Sequence, residues 1–76
     1  MNVPISTSVE QNVRNYFEVL DGESTTDLYE LILSQMERPL LQVVLEQTNG
    51  NQSKSAKILG LNRGTLRKKL QQYDLL

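Results

Sequence analysis

The chain contains no cysteine and no histidine. That removes disulfide staples, thiolate zinc sites and imidazole ligands together, and no cofactor is expected. The same absence, with no glycine-rich phosphate loop and acidic residues scattered as on solvated helix faces, argues against an enzyme. No stretch approaches the roughly 18 apolar residues that span a bilayer. Residues 1–7 carry no basic residue and no long apolar run, so no secretory signal is expected and the reading is a soluble, cytoplasmic protein without a membrane partner. Nowhere do β-branched and polar residues alternate over strand length, which excludes a sheet. The length, 76 residues, fits one small domain. A core of that size rarely supplies more than about 3–5 kcal/mol alone, and without disulfides or metals the remaining remedy is oligomerisation.

What is present is segregated by charge. Residues 1–50 hold two basic residues, Arg14 and Arg38, against eight acidic ones, a net of −6. Residues 51–76 hold Lys54, Lys57, Arg63, Arg67, Lys68 and Lys69 against Asp74 alone, a net of +5. The overall charge of −1 therefore conceals a C-terminal third that attracts polyanions.

Apolar spacing predicts four helices. The first covers residues 9–20, with Ser8 as N-cap, Gln11 completing a capping box, and Val9, Val13, Tyr16, Phe17 and Leu20 on one face. Gly22 supplies a stop, and residues 1–7 are expected to be frayed. The second begins near Asp27, with Asp27 and Glu30 as a further box, and runs towards Thr48. Pro39 in its middle removes one backbone hydrogen bond and should kink or break it. One long kinked helix is favoured because no turn residues surround Pro39; two shorter helices are the alternative. Asn49-Gly50 ends the segment. The third helix runs over residues 52–59 behind Asn51, and the fourth starts after Asn62 and continues to about Tyr73.

The informative stretch is residues 50–73, GNQSKSAKILGLNRGTLRKKLQQY. A helix-turn-helix needs a small residue in its first helix, a glycine for the tight turn, and an apolar residue in the second helix that packs back. Ala56, Gly60 and Leu66 meet those needs, and Leu61 and Leu70 extend the stripe. At about 100° per residue, Leu70 and Tyr73 lie within about 40° of Leu66 and form the inward face. Gly64, Thr65, Lys68, Gln71 and Gln72 point away, with Arg63 and Arg67 on one flank. Long cationic and hydrogen-bonding groups on that outer face are those that read base edges and clamp phosphates. Gly64 allows close approach of the backbone, and the free amides at the helix start favour anions. RKK on an amphipathic helix is often only a solubilising stripe. Joined to the turn pattern and the charge segregation, double-stranded DNA is the stronger reading. Tyr73 reads as a packing residue rather than a stacking platform, and Asn51 and Asn62 as caps that can also contact DNA.

These residues resemble the Fis family, factors for inversion stimulation that associate with the bacterial nucleoid. NRGTLRKKL at 62–70 is similar to the family's recognition helix, and GNQ at 50–52, NYF at 15–17, DLYEL at 27–31 and PLL at 39–41 match in the same order and spacing. The resemblance covers about residues 4–76. It implies an all-α, four-helix chain forming an intertwined homodimer, with residues 8–49 as dimerisation core and residues 50–74 as the DNA-binding unit of a single domain. It also implies degenerate sites with an A/T-rich centre, bent to bring successive grooves under closely spaced recognition helices, so that deformability supplies much of the specificity. Matching positions imply that Asn62, Arg63 and Lys68 reach base edges or groove atoms. Asn51, Ser53, Thr65, Arg67 and Lys69 would bind phosphates, and Lys54 and Arg14 flanking DNA.

The family's N-terminal arm, which stimulates DNA invertases, has no counterpart in the matched residues, so invertase contact is not carried over. RNA polymerase is an implied further partner, against which stands Asn49 at the place of an arginine in the family. Gln71 and Gln72 replace two family lysines, which should weaken flanking contacts. Two other readings compete with a free-standing DNA-bending regulator of transcription. One is the detached DNA-binding domain of an enhancer-binding activator. The other is an interaction module in which the second helix docks a partner helix and the basic end is incidental.

Overall fold

A computed structural model describes residues 4–76, and all statements below concern those residues. They form four helices and no strand: α1 (Ile5–Leu20), α2 (Leu28–Gln47), α3 (Gln52–Leu59) and α4 (Arg63–Gln72). No helix is long and apolar enough to cross a membrane. The chain divides into two compact units, the first ending at Ile32 and the second covering Leu33–Leu76.

In the first unit α1 begins earlier than its sequence suggests. Ser8 lies inside the helix, and Pro4 stands at the N-cap with φ −59° and ψ 145° and no side-chain cap. The proline ring presets the entry, and the Pro4 carbonyl accepts from the Thr7 and Ser8 amides at 3.1 and 3.3 Å. Residues 5–7 are therefore helical rather than frayed, while residues 1–3 lie outside the described part. The stop forms at Asp21 and Gly22, both left-handed (φ 48° and 89°), and the Asp21 amide returns to the Phe17 carbonyl. Aspartate tolerates that region better than most residues because its short side chain bonds locally. Asp27 is also left-handed (φ 60°), not in the extended conformation expected of an N-cap. Tyr16 packs edge-to-face on Phe17, centroids 6.3 Å apart, and its hydroxyl pairs with Thr25 Oγ1 at 3.2 Å. No residue of α1 is buried.

The second unit holds the core. Leu41 of α2 meets Ala56, Leu66, Leu70 and Tyr73, with Leu45, Leu59, Leu61 and Leu75 packed around them. α2 runs through Pro39 as one helix. The missing proline amide leaves the Gln35 carbonyl without its helical donor, and exposure of both residues lets water replace it. Along α2, Glu37, Leu41 and Leu45 share the face turned to this core, whereas Met36, Leu40 and Val43 line an adjacent face that stays exposed.

Local chemistry closes each turn. Asn49 and Gly50 are left-handed (φ 53° and 82°), and the Gly50 amide donates to the Leu45 carbonyl at 2.8 Å. Gly60 (φ 72°) ends α3, with the Leu61 amide reaching the Ala56 carbonyl at 2.9 Å. The same six-to-one closure ends α4, from the Leu75 amide to the Leu70 carbonyl at 2.8 Å. Ser55, the buried polar residue, is matched by Thr48, hydroxyl to hydroxyl at 2.7 Å.

Candidate nucleic-acid interface

The three residues Gly60, Leu61 and Asn62 join α3 to α4. Ala56 lies buried where the helices cross, and Leu66 and Leu70 are sealed at 1% and 0% exposure. Burying one stripe of so short a helix forces the other outward. Arg63, Gly64, Thr65, Arg67, Lys68, Gln71 and Gln72 are all exposed, as the wheel predicts. The second unit carries seven basic residues against three acidic ones, and α4 itself has no acidic residue.

The two asparagine caps form as expected. Asn51 Oδ1 accepts from the Lys54 amide at 3.0 Å, and Asn62 Oδ1 from the Gly64 amide at 2.8 Å. Each cap uses only the side-chain oxygen. The amide NH₂ groups, two donors apiece, lie outside the cap and suit an anion or a base edge. Aspartate would cap as well but would bring negative charge to the same spot. Gly64 has a reason beyond close approach: a Cβ there would lie 3.2 Å from Asn62 Oδ1, crowding the cap.

Not every candidate is alike. Asn51, Ser53 and Lys54 are exposed at the start of α3, in the same unit as α4. Arg14 belongs to the first unit, on α1, where it pairs with Glu10 at 2.8 Å; both side chains are largely exposed, so the pair adds little. Lys69 is half-buried, and its ammonium lies 2.7 Å from Glu37 Oε2 of α2. Glu37 is held a second time, by the Tyr73 hydroxyl donating to Oε1 at 2.6 Å. Hydrogen bonds from Lys69 and then Tyr73 hold the Glu37 carboxyl below the usual carboxylate range, against the opposing effect of burial.

This clasp was missed by sequence reasoning, which saw Glu37 only as one of eight acids. The available signal was its place four residues before Leu41 on the inward face of α2.

A carboxyl with a depressed folded-state pKa stabilises fully above its unfolded value, about 4.3, and loses that contribution as pH falls through the folded-state value. The thermal midpoint should therefore fall below about pH 4.3, and less steeply in Glu37→Gln. Equal acid limbs for the two proteins, recorded by circular dichroism, would show that the clasp adds no stability.

Comparison with known proteins agrees with this geometry. Residues 32–73 match the family described as "Bacterial regulatory protein, Fis family". "DNA-binding protein Fis" of Actinobacillus succinogenes is 55% identical over 74 residues, which cover 97% of this chain and 75% of that protein. The proteins of the same name from Histophilus somni and Proteus mirabilis are each 50% identical, over 97% and 95% of this chain and 76% and 74% of theirs. With the helix-turn-helix sealed by Leu66 and Leu70 and identities of this size over nearly its whole length, the chain belongs to the Fis family of bacterial regulatory proteins.

Proposed function

We propose that the chain binds double-stranded DNA as a homodimer, lays α4 in the major groove, bends the duplex, and so acts as a nucleoid-associated regulator of transcription in the bacterial cytoplasm. The observation that carries this reading is the outer face of α4, where Arg63, Arg67 and Lys68 stand exposed over a fully buried Leu66–Leu70 stripe. The relatives' shared name, DNA-binding protein Fis, points the same way. Asn62 and Arg63 are assigned to base edges and groove atoms, because the first residues of a recognition helix reach deepest, and Lys68, further along α4, joins them by its match to the family's recognition helix. Asn51, Ser53, Thr65, Arg67 and Lys69 take phosphates, Lys69 in competition with Glu37, and Lys54 and Arg14 serve flanking DNA.

A second copy of the chain accounts for what one copy leaves uncovered. α1 buries none of its residues, and Met36, Leu40 and Val43 stand 42–51% exposed along α2. Five buried apolar residues are a small core for a chain of this length. Residues 8–49 are thus the dimerisation segment and residues 50–74 the DNA-binding unit. RNA polymerase remains a further proposed partner.

The test is a gel shift with circularly permuted fragments carrying an A/T-rich site flanked by G and C. A complex whose mobility varies with site position is expected; constant mobility would leave binding without bending, and no complex at low salt would defeat the DNA reading. If about four cations per subunit meet phosphates, a dimer neutralises roughly eight and the slope of log K against log salt is near −7. A slope shallower than about −3 would contradict docking across the groove.

A further inference from the structure

We propose that Glu37 is an internal counter-ion that competes with DNA for Lys69, and thereby limits the affinity of α4 for arbitrary duplex. The inference rests on the DNA-binding reading above. Its basis is geometric. Lys69 lies on the helix that carries Arg63, Arg67 and Lys68, yet it alone among those cations is half-buried and has a carboxylate at 2.7 Å. A phosphate oxygen and a carboxylate oxygen offer an ammonium the same kind of charge-assisted bond. Glu37 Oε2 therefore takes one of the three ammonium donors and neutralises the charge that a phosphate would otherwise pair with.

Two features make the exchange costly. The Glu37 side chain is only 13% exposed, so losing Lys69 would leave a largely buried carboxylate with one fewer donor. The Tyr73 hydroxyl, at 2.6 Å from Oε1, holds the carboxylate in place rather than letting it swing to water. A loosely held phosphate does not meet that cost. On arbitrary DNA each subunit consequently engages one cation fewer than α4 carries. The carboxylate also sits beneath the basic face, where its charge opposes a nearby polyanion.

Glu37→Gln tests this. The glutamine oxygen still accepts from Tyr73, but the charge that holds Lys69 is gone. Binding of the 76-residue chain to a random-sequence duplex is measured by fluorescence anisotropy over a salt series, with folding checked by circular dichroism. The slope should steepen by about 0.9 per subunit, close to 2 for a dimer, with affinity rising about tenfold or more at low salt. Adding Lys69→Gln to Glu37→Gln should remove that gain. Glu37→Met, apolar and similar in length, should reproduce it if the glutamine variant folds poorly.

An unchanged slope in a folded Glu37→Gln or Glu37→Met protein overturns the proposal. So does a gain that survives Lys69→Gln, since the effect would then not pass through Lys69. If Glu37 were only a strut positioning α4, affinity would fall with the slope unaltered, which also overturns it. Failure of the unaltered protein to bind any duplex is a different outcome, and defeats the DNA reading itself.

Discussion

Leu70→Ala is expected to destabilise the second unit by about 2–5 kcal/mol, enough to leave much of it unfolded at moderate temperature. Leu70 has no exposed surface and joins Leu66, Leu41 and Tyr73 in the core that ties α4 to α2. Deleting its branched end loses transfer free energy and leaves a cavity that short, capped helices cannot easily close. Domains of this size have little stability in reserve. Ile58→Ala is the control, because Ile58 is 64% exposed on α3 and its loss should cost within about 0.5 kcal/mol. Urea titrations at one fixed protein concentration compare the two, since dimer formation would make the midpoint concentration-dependent. Equal midpoints for both variants would mean that the buried stripe of α4 does not hold the unit together.

Arg63→Ala is expected to erase most site preference while leaving binding to random DNA largely intact. Arg63 is the first residue of α4, exposed, and directly after the Asn62 cap. An arginine there can bond a guanine edge in two places, worth about 1–3 kcal/mol of discrimination, or roughly 5- to 150-fold. Arg67, one turn further along the same flank, is assigned to phosphate. Arg67→Ala should weaken all sequences about equally and lower the salt slope by about 1 per subunit. Competition between a preferred and a random duplex separates these outcomes. Indistinguishable behaviour of the two variants would remove the division of labour along α4.

Much of the DNA-binding unit is legible in the sequence, because its determinants are local. Ala56, Gly60 and Leu66 are spaced for the turn, Asn51 and Asn62 for caps, and all take those places. The absence of turn residues around Pro39 correctly favours one helix there. The errors sit where a neighbour offered a rival conformation. Pro4 sets the start of α1 ahead of Ser8, and Asp27 is left-handed where an extended cap had been expected; the left-handed Gly22 stop forms, with Asp21 left-handed just before it. The Glu37–Lys69–Tyr73 clasp is a different kind of omission. Its partners are 32 and 36 positions apart, and no local rule couples them. Charge counting placed Lys69 with the free cations of α4, whereas packing of α2 against α4 places a carboxylate beside it.

The clasp also has an optical consequence. The chain has no tryptophan, so its near-ultraviolet absorption and emission come chiefly from three tyrosines. Tyr29 is exposed, Tyr16 is half-buried, and only Tyr73 is buried. A phenol that donates to a carboxylate absorbs slightly further to the red and emits weakly, because the excited ring readily gives up its proton to that acceptor. Tyr73, which joins the end of α4 to α2, is thus expected to be the dimmest tyrosine, and its emission to rise when the helices separate. The molecule carries an unlabelled gauge of whether its recognition helix is seated.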